Sequence, residues 1–153
     1  MVSPIHRTVF MAIDFKRPQK NRDPFPLCQR QKKDIEYHFD GFKCKILNRS
    51  ELRCIGLIRP DEDSPVYKVR IIYRPGVTPK VRVLSPKIEL STKTHVYKGG
   101  DLCLFYPPDE PWKESYRIVE KTIPWTAEWI VYYELYLITG KWEGPEAPHE
   151  PSS

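Results

Sequence analysis

The apolar residues of the chain change period twice, and each change marks a change of element. Leu27, Cys28, Gln31, Ile35 and Phe39 recur at three- and four-residue spacing, the stripe of an amphipathic helix. Asp23 can cap that helix, Pro24 suits its first position, and Gly41 stops it. Its outer face is basic, with Arg30, Lys32 and Lys33. The period then falls to two. Phe42, Cys44 and Ile46 alternate with Lys43 and Lys45; after the polar turn "NRS", Leu52, Cys54 and Ile58 share a face; after the acidic "RPDEDSP", Tyr67, Val69, Ile71 and Tyr73 alternate with Lys68, Arg70 and Arg74. A shorter run turns Val81 and Val83 inward. The pattern predicts a four-strand antiparallel meander packed on the first helix, an α+β architecture.

From Ser85 to Pro111 no period holds, yet Tyr97, Leu102, Leu104, Phe105 and Tyr106 lie there. A long irregular stretch with enough apolar surface to be packed down reads as a functional loop. The closing "IPWTAEWIVYYELYLITGKW" reads as a helix in which Thr122 can cap, Pro124 sits in the first turn and Gly140 ends it. It is apolar nearly all round, so it is either buried on several sides or presents its aromatics to a partner. Residues 1–22 then read as an N-terminal arm, 23–142 as the domain and 143–153 as a tail with too little apolar content to fold.

The 153 residues suffice for one compact domain, and 16 prolines against 7 glycines imply short elements joined by stiff turns. The net charge is +5, but the cations are spread through the strands instead of forming one concentrated run. That spacing reads as solvated strand faces and argues against nucleic-acid binding. No apolar run approaches the ~20 residues of a membrane span, and no signal-peptide core stands at the N-terminus, which points to a cytoplasmic protein. Cys28, Cys44, Cys54 and Cys103 include no CxxC pair. Cys44 and Cys54 face one another across the first hairpin and read, in a reducing compartment, as free, small buried hydrophobes. No zinc spacing, phosphate loop or nucleotide motif occurs, so no cofactor is expected.

Cys103 differs from the other three cysteines in lying in the irregular stretch. A nucleophilic thiol must be reachable, must be supplied as thiolate, and needs donors aimed at a developing oxyanion. Gly99 and Gly100 permit close backbone approach, and His95 and Lys98 supply donors or positive charge nearby. The residues alone leave both a reactive and a merely packed thiol open.

The order of helix, four-strand meander, cysteine-bearing loop, tryptophan and helix resembles that of the ubiquitin-conjugating enzymes. In "GDLCLFYPPDEPW", Gly100, Leu102, Cys103, Leu104 and Trp112 match the family's pattern around its thioester-forming cysteine, and "TPKVRVLSP" resembles the preceding strand. The family's His-Pro-Asn is absent. "THV" stands in its place, with His95 where the asparagine would fall, and one aromatic helix replaces the family's usual final helices. The closing segment, with Pro124, Trp125, Glu128, Trp129, Tyr133, Glu134, Thr139, Gly140, Trp142, Gly144 and His149, is similar to the conjugating-enzyme-like proteins of bacterial CBASS antiphage operons.

That resemblance implies a role for each residue. Cys103 would carry the C-terminus of a cGAS/DncV-like nucleotidyltransferase as a thioester and pass it to an amine. His95, with N–H groups near Gly100 and Asp101, would steady the oxyanion. Asp101, Asp109 and Glu110 would orient the incoming lysine, and Trp112, Trp125 and Trp129 would grip the partner. The chain has no room for an adenylating domain, so it either borrows a separate adenylating enzyme as a further partner or belongs to a shorter operon type in which the conjugating protein stands alone. The alternative is a catalytically inactive binding module for the nucleotidyltransferase, and a remoter one is a basic RNA-binding domain, for which salt-dependent binding would be expected.

Overall fold

The computed structural model describes residues 22–89, 94–104 and 111–144. The expected arm and tail, and Asp109 and Glu110, lie outside them, apart from Arg22 at one end and Glu143 and Gly144 at the other. Helix α1 (Phe25–His38) is followed by β1 (Phe42–Leu47), β2 (Glu51–Ile58), β3 (Tyr67–Tyr73), β4 (Lys80–Ser85) and helix α2 (Thr122–Thr139). The strands form one antiparallel sheet in the order β1-β2-β3-β4, an α+β fold in which one helix precedes the sheet and one follows it among the described residues.

The predicted stripe of α1 is the buried one, Leu27, Cys28, Gln31 and Ile35. The cap position falls on Pro24, one residue later than expected, and Asp23 acts from just outside it, its carboxylate accepting the Phe25 N–H at 3.0 Å, while Phe39 closes the C-terminal end in extended conformation. The turn between β1 and β2 is tight. Asn48 and Arg49 both take positive φ (51° and 58°), and Ser50 N–H donates to Leu47 C=O at 3.0 Å, a primed turn of the kind that matches strand twist. Arg49 occupies a position glycine usually takes; its guanidinium stacks 4.1 Å over the Phe25 ring and pairs with Asp23.

That turn fixes a register in which Cys44 lies directly opposite Cys54. The Cys44 N–H points away from β2, to the Glu36 carboxylate at 2.9 Å, so the pair occupies a non-hydrogen-bonded site, where side chains come closest. Their Cα atoms are 4.1 Å apart and the two form a disulfide. The expectation of four thiols outside any disulfide is therefore corrected: Cys28 and Cys103 are buried and take no part in the bond, and the register, not the spacing in sequence, brings the other two together.

On the inner face Leu52, Cys54, Val69, Ile71, Tyr73 and Val81 are almost wholly buried. The Phe42 ring lies across Gly56, its cross-strand partner. Gln31 pins the segment before α2 to α1: its amide donates to Tyr116 C=O at 2.8 Å and accepts from Ile118 N–H at 3.1 Å. Arg117 adds a two-pronged contact to Asp34 at 2.6 and 2.8 Å, which holds that carboxyl below its ordinary pKa.

Helix α2 buries Thr122, Ile123, Thr126, Trp129, Ile130 and Tyr133, and Gly140 ends it at φ 77°. Thr122 is the first helical residue, not a cap; its carbonyl accepts from the Thr126 hydroxyl at 2.7 Å. One side of α2 is buried while Leu137 and Ile138 near its end are exposed. No helix among the described residues is long and apolar enough to cross a membrane.

Candidate active site

Within the stretch where no period holds, a short hairpin follows β4. Val96 and Leu102 form an antiparallel bridge, flanked by Tyr97 N–H to Asp101 C=O and Cys103 N–H to His95 C=O, each 2.8 Å. Gly100 closes the tip at φ 100°, its N–H on Tyr97 C=O; a Cβ there would strain the backbone and press within 3.3 Å of Arg82 Nε. Leu102 N–H donates to Val81 C=O at 2.8 Å, which ties the hairpin to β4. The pairing sets His95 opposite Cys103 and Tyr97 opposite Asp101. Since alternate residues share a face, these four stand on one side of the hairpin.

Cys103 is 3% exposed. Burial pushes its thiol up to about 12, and a hydrogen bond with the Tyr97 side chain pulls in the opposite direction. At neutral pH the group is therefore a protonated thiol, and the structure describes a guarded sulfur, not an activated one. Tyr97 itself is 46% exposed, so the thiol's hydrogen-bond partner reaches solvent while the sulfur does not. Sequence reasoning passed it over because no local pattern distinguishes it from the other aromatics of the loop.

His95 takes the left-handed conformation, φ 55°, a region in which asparagine, aspartate and histidine are enriched. Its ring packs 4.7 Å from that of Trp142. Its carbonyl accepts two donors, Cys103 N–H at 2.8 Å and Trp129 Nε1 at 3.2 Å. His95 thus shapes the loop through its backbone. The Asp101 carboxylate faces Arg82 Nη2 at 3.2 Å. Of the N–H groups expected to steady an oxyanion, that of Gly100 is already spent within the turn.

The three tryptophans part company. Trp129, expected to meet a partner, is 3% exposed and stacks on Tyr133 at 5.1 Å; an all-round apolar helix turned this indole into the core. Trp112 and Trp125 are half-buried and line, with Tyr97, Leu104 and Thr78, a cavity of about 240 Å³ beside the hairpin. Trp112 packs edge-on to Tyr73 and Tyr116, yet its Nε1–H is buried without an acceptor. A buried donor of that kind carries a desolvation cost that a bound carbonyl would remove. Among the described residues no cluster of three or more His, Cys, Asp or Glu could hold a metal ion.

Residues 31–150 match the E2-CBASS family, described as the Type II CBASS E2 protein. No curated protein matches the chain.

Proposed function

We propose, from the premise that the chain belongs to the Type II CBASS E2 protein family, that it is a ubiquitin-conjugating-like acyl carrier with Cys103 as its thioester nucleophile. Membership makes it a component of a bacterial antiviral defence system. The finer reading is of a ubiquitin-conjugating-like domain over residues 23–142 that acts on a cGAS/DncV-like nucleotidyltransferase.

In this reading the Cys103 sulfur attacks the activated C-terminal carbonyl of the nucleotidyltransferase. A C–S bond forms, the activating group leaves, and the thiol proton passes to solvent or to the leaving group. An amine then attacks the thioester carbonyl, the C–S bond breaks, an amide forms, and the sulfur is released. A separate adenylating enzyme supplies the activated carbonyl.

The observation that carries the reading is the hairpin: it sets Tyr97 against the sulfur of Cys103, beside a cavity lined by Trp112 and Trp125. Tyr97 takes the place of donor to the oxyanion, a role that the His95 ring, packed on Trp142, is poorly set to fill. In this reading the cavity of about 240 Å³, lined by Trp112 and Trp125, takes the end of the donor chain. The donor's arrival must displace the cover over Cys103, because the resting thiol is neither exposed nor ionised.

That same burial favours one competing reading, an inactive binding module in which Cys103 only packs. Intact-protein mass spectrometry after co-expression with the operon's nucleotidyltransferase separates the two. Catalysis predicts a thiol-labile adduct on the wild type and a reductant-resistant ester on Cys103→Ser. A stable non-covalent complex with no adduct on either form would sink it.

A further inference from the structure

The outer face of the sheet, away from the core, carries a dense array of positive charge. Strand alternation sends Lys43 and Lys45 of β1, Arg53 of β2, Lys68 and Arg70 of β3, and Lys80 and Arg82 of β4 to the side opposite the buried Cys54, Ile71 and Val81. Pairing aligns most of them in two rows across the strands, Lys43 with Ile55, Arg70 and Arg82, and Lys45 with Arg53, Ile72 and Lys80. Neighbours in such a row stand about 5 Å apart at Cβ. The cations that look scattered along the chain are thus gathered by the fold, because a meander turns every second residue of each strand to the same side.

Little on this face neutralises them. Arg53 pairs with Glu51 at 2.6 Å and Arg82 with Asp101 at 3.2 Å. Seven cations less these two leaves five (Lys43, Lys45, Lys68, Arg70 and Lys80) with no carboxylate in ion-pair range among the described residues, as many charges as the net +5 of the whole chain. Arg70 and Arg82 are direct cross-strand partners, and like charges placed so oppose sheet pairing. Each also keeps a buried Nε–H with no acceptor. The buried Nε atoms are out of reach of solvent, but the half-exposed guanidinium groups repel one another across the strands, a repulsion that a bound anion relieves.

The form of the face selects among polyanions. Neither row contains an aromatic ring, so nothing is offered for unpaired bases to stack upon. Ile55 and Ile72 are half-buried among the cations, and the exposed Leu57 and Leu84 stand on the same face at its Lys68 edge, outside the two rows. Repeated charge along the rows, with no ring to stack on and the exposed apolar residues confined to one edge, suits contacts to phosphates. We propose that the outer face of the sheet is a sequence-independent docking surface for the phosphate backbone of double-stranded nucleic acid. The proposal does not depend on the thiol chemistry, although Lys80 also lines the cavity beside the hairpin and Arg82 holds that hairpin at Gly99 and Asp101.

The test is fluorescence anisotropy with the full chain and labelled DNA and RNA duplexes of about 25 base pairs. Five phosphate contacts predict a log-log salt slope near −4.5, so affinity falls on the order of 500-fold from 50 to 200 mM salt. The variant Lys45→Glu/Lys80→Glu weakens binding more than about tenfold and flattens the slope by about two. Arg30→Glu/Lys33→Glu, on the exposed side of α1, changes the net charge equally and leaves affinity within about threefold. Equal loss in both variants would reduce the effect to diffuse net charge and overturn the proposal. So would no binding by the wild type at 50 mM salt, a measurement independent of any variant, or a preference for polyglutamate or single strands over duplex.

Discussion

A cysteine that is to carry an acyl group should be the most reactive thiol of its protein, and Cys103 in the resting fold is predicted to be among the least. Raising the thiol from 9.0 to about 12 lowers the thiolate fraction near pH 8 by about a thousandfold, and because the thiolate is the nucleophile, alkylation slows by roughly 30- to 60-fold once the greater nucleophilicity of a more basic thiolate is counted. Steric cover at 3% exposure slows it further. The assay is intact-mass kinetics with iodoacetamide, followed by peptide mapping, on native protein and on protein in guanidinium, where Cys103 recovers ordinary reactivity. Labelling of native Cys103 within about tenfold of the unfolded rate would refute the reasoning. Tyr97→Phe gives a second handle. Its hydrogen bond lowers the thiol pKa, so its loss raises that pKa and slows labelling again; faster labelling would mean that Tyr97 serves only as a lid. If the proposed function holds, adding the nucleotidyltransferase with its C-terminus intact speeds labelling, whereas a truncated form does not.

The titration of Cys103 also sets a pH dependence. A thiol pKa raised by folding stabilises the fold below about 9, and this contribution is lost as pH climbs toward about 12; chemical denaturation at pH 8 and 10.5 should therefore show wild type losing stability relative to Cys103→Ser, and parallel curves would contradict it. Gly56→Ala drives a Cβ into the Phe42 ring and should cost about 1–3 kcal/mol by the same measurement. Gln31→Leu leaves Tyr116 C=O and Ile118 N–H unpaired, a loss of about 2–5 kcal/mol and a Tm lower by roughly 5–15 °C; a change within a degree would mean that water or a neighbour replaces the amide. Non-reducing mass spectrometry should find the chain two hydrogens lighter than its reduced mass, with the loss mapped to peptides containing Cys44 and Cys54.

The helix stripe of α1 and the inward residues of all four strands were legible because burial on one side leaves a periodic trace, as Gln31, Ile35, Val69 and Val81 show. The 94–104 hairpin was not, since a single bridge is too short to build a period, and Gly99 and Gly100 alone do not reveal what they bring together. The disulfide is not legible in the spacing of Cys44 and Cys54, because two facing cysteines are equally compatible with free thiols until the register brings their Cα atoms to 4.1 Å. Trp129 was read as a partner contact because an all-round apolar helix gives no sign of which side turns inward. The basic sheet face was visible residue by residue but not as a surface, since adjacency between strands is written in the register and not in the linear order.

One carbonyl has a mechanical consequence. The oxygen of His95 accepts both the backbone N–H of Cys103 and the indole of Trp129, and so fastens the strand bearing the sulfur to the middle of α2. Helix and thiol are geared together: a pull or rotation on the free end of α2, where Leu137 and Ile138 project, loads the same atom that holds Cys103 in register. The last helix is in this sense a lever whose short arm ends at the sulfur.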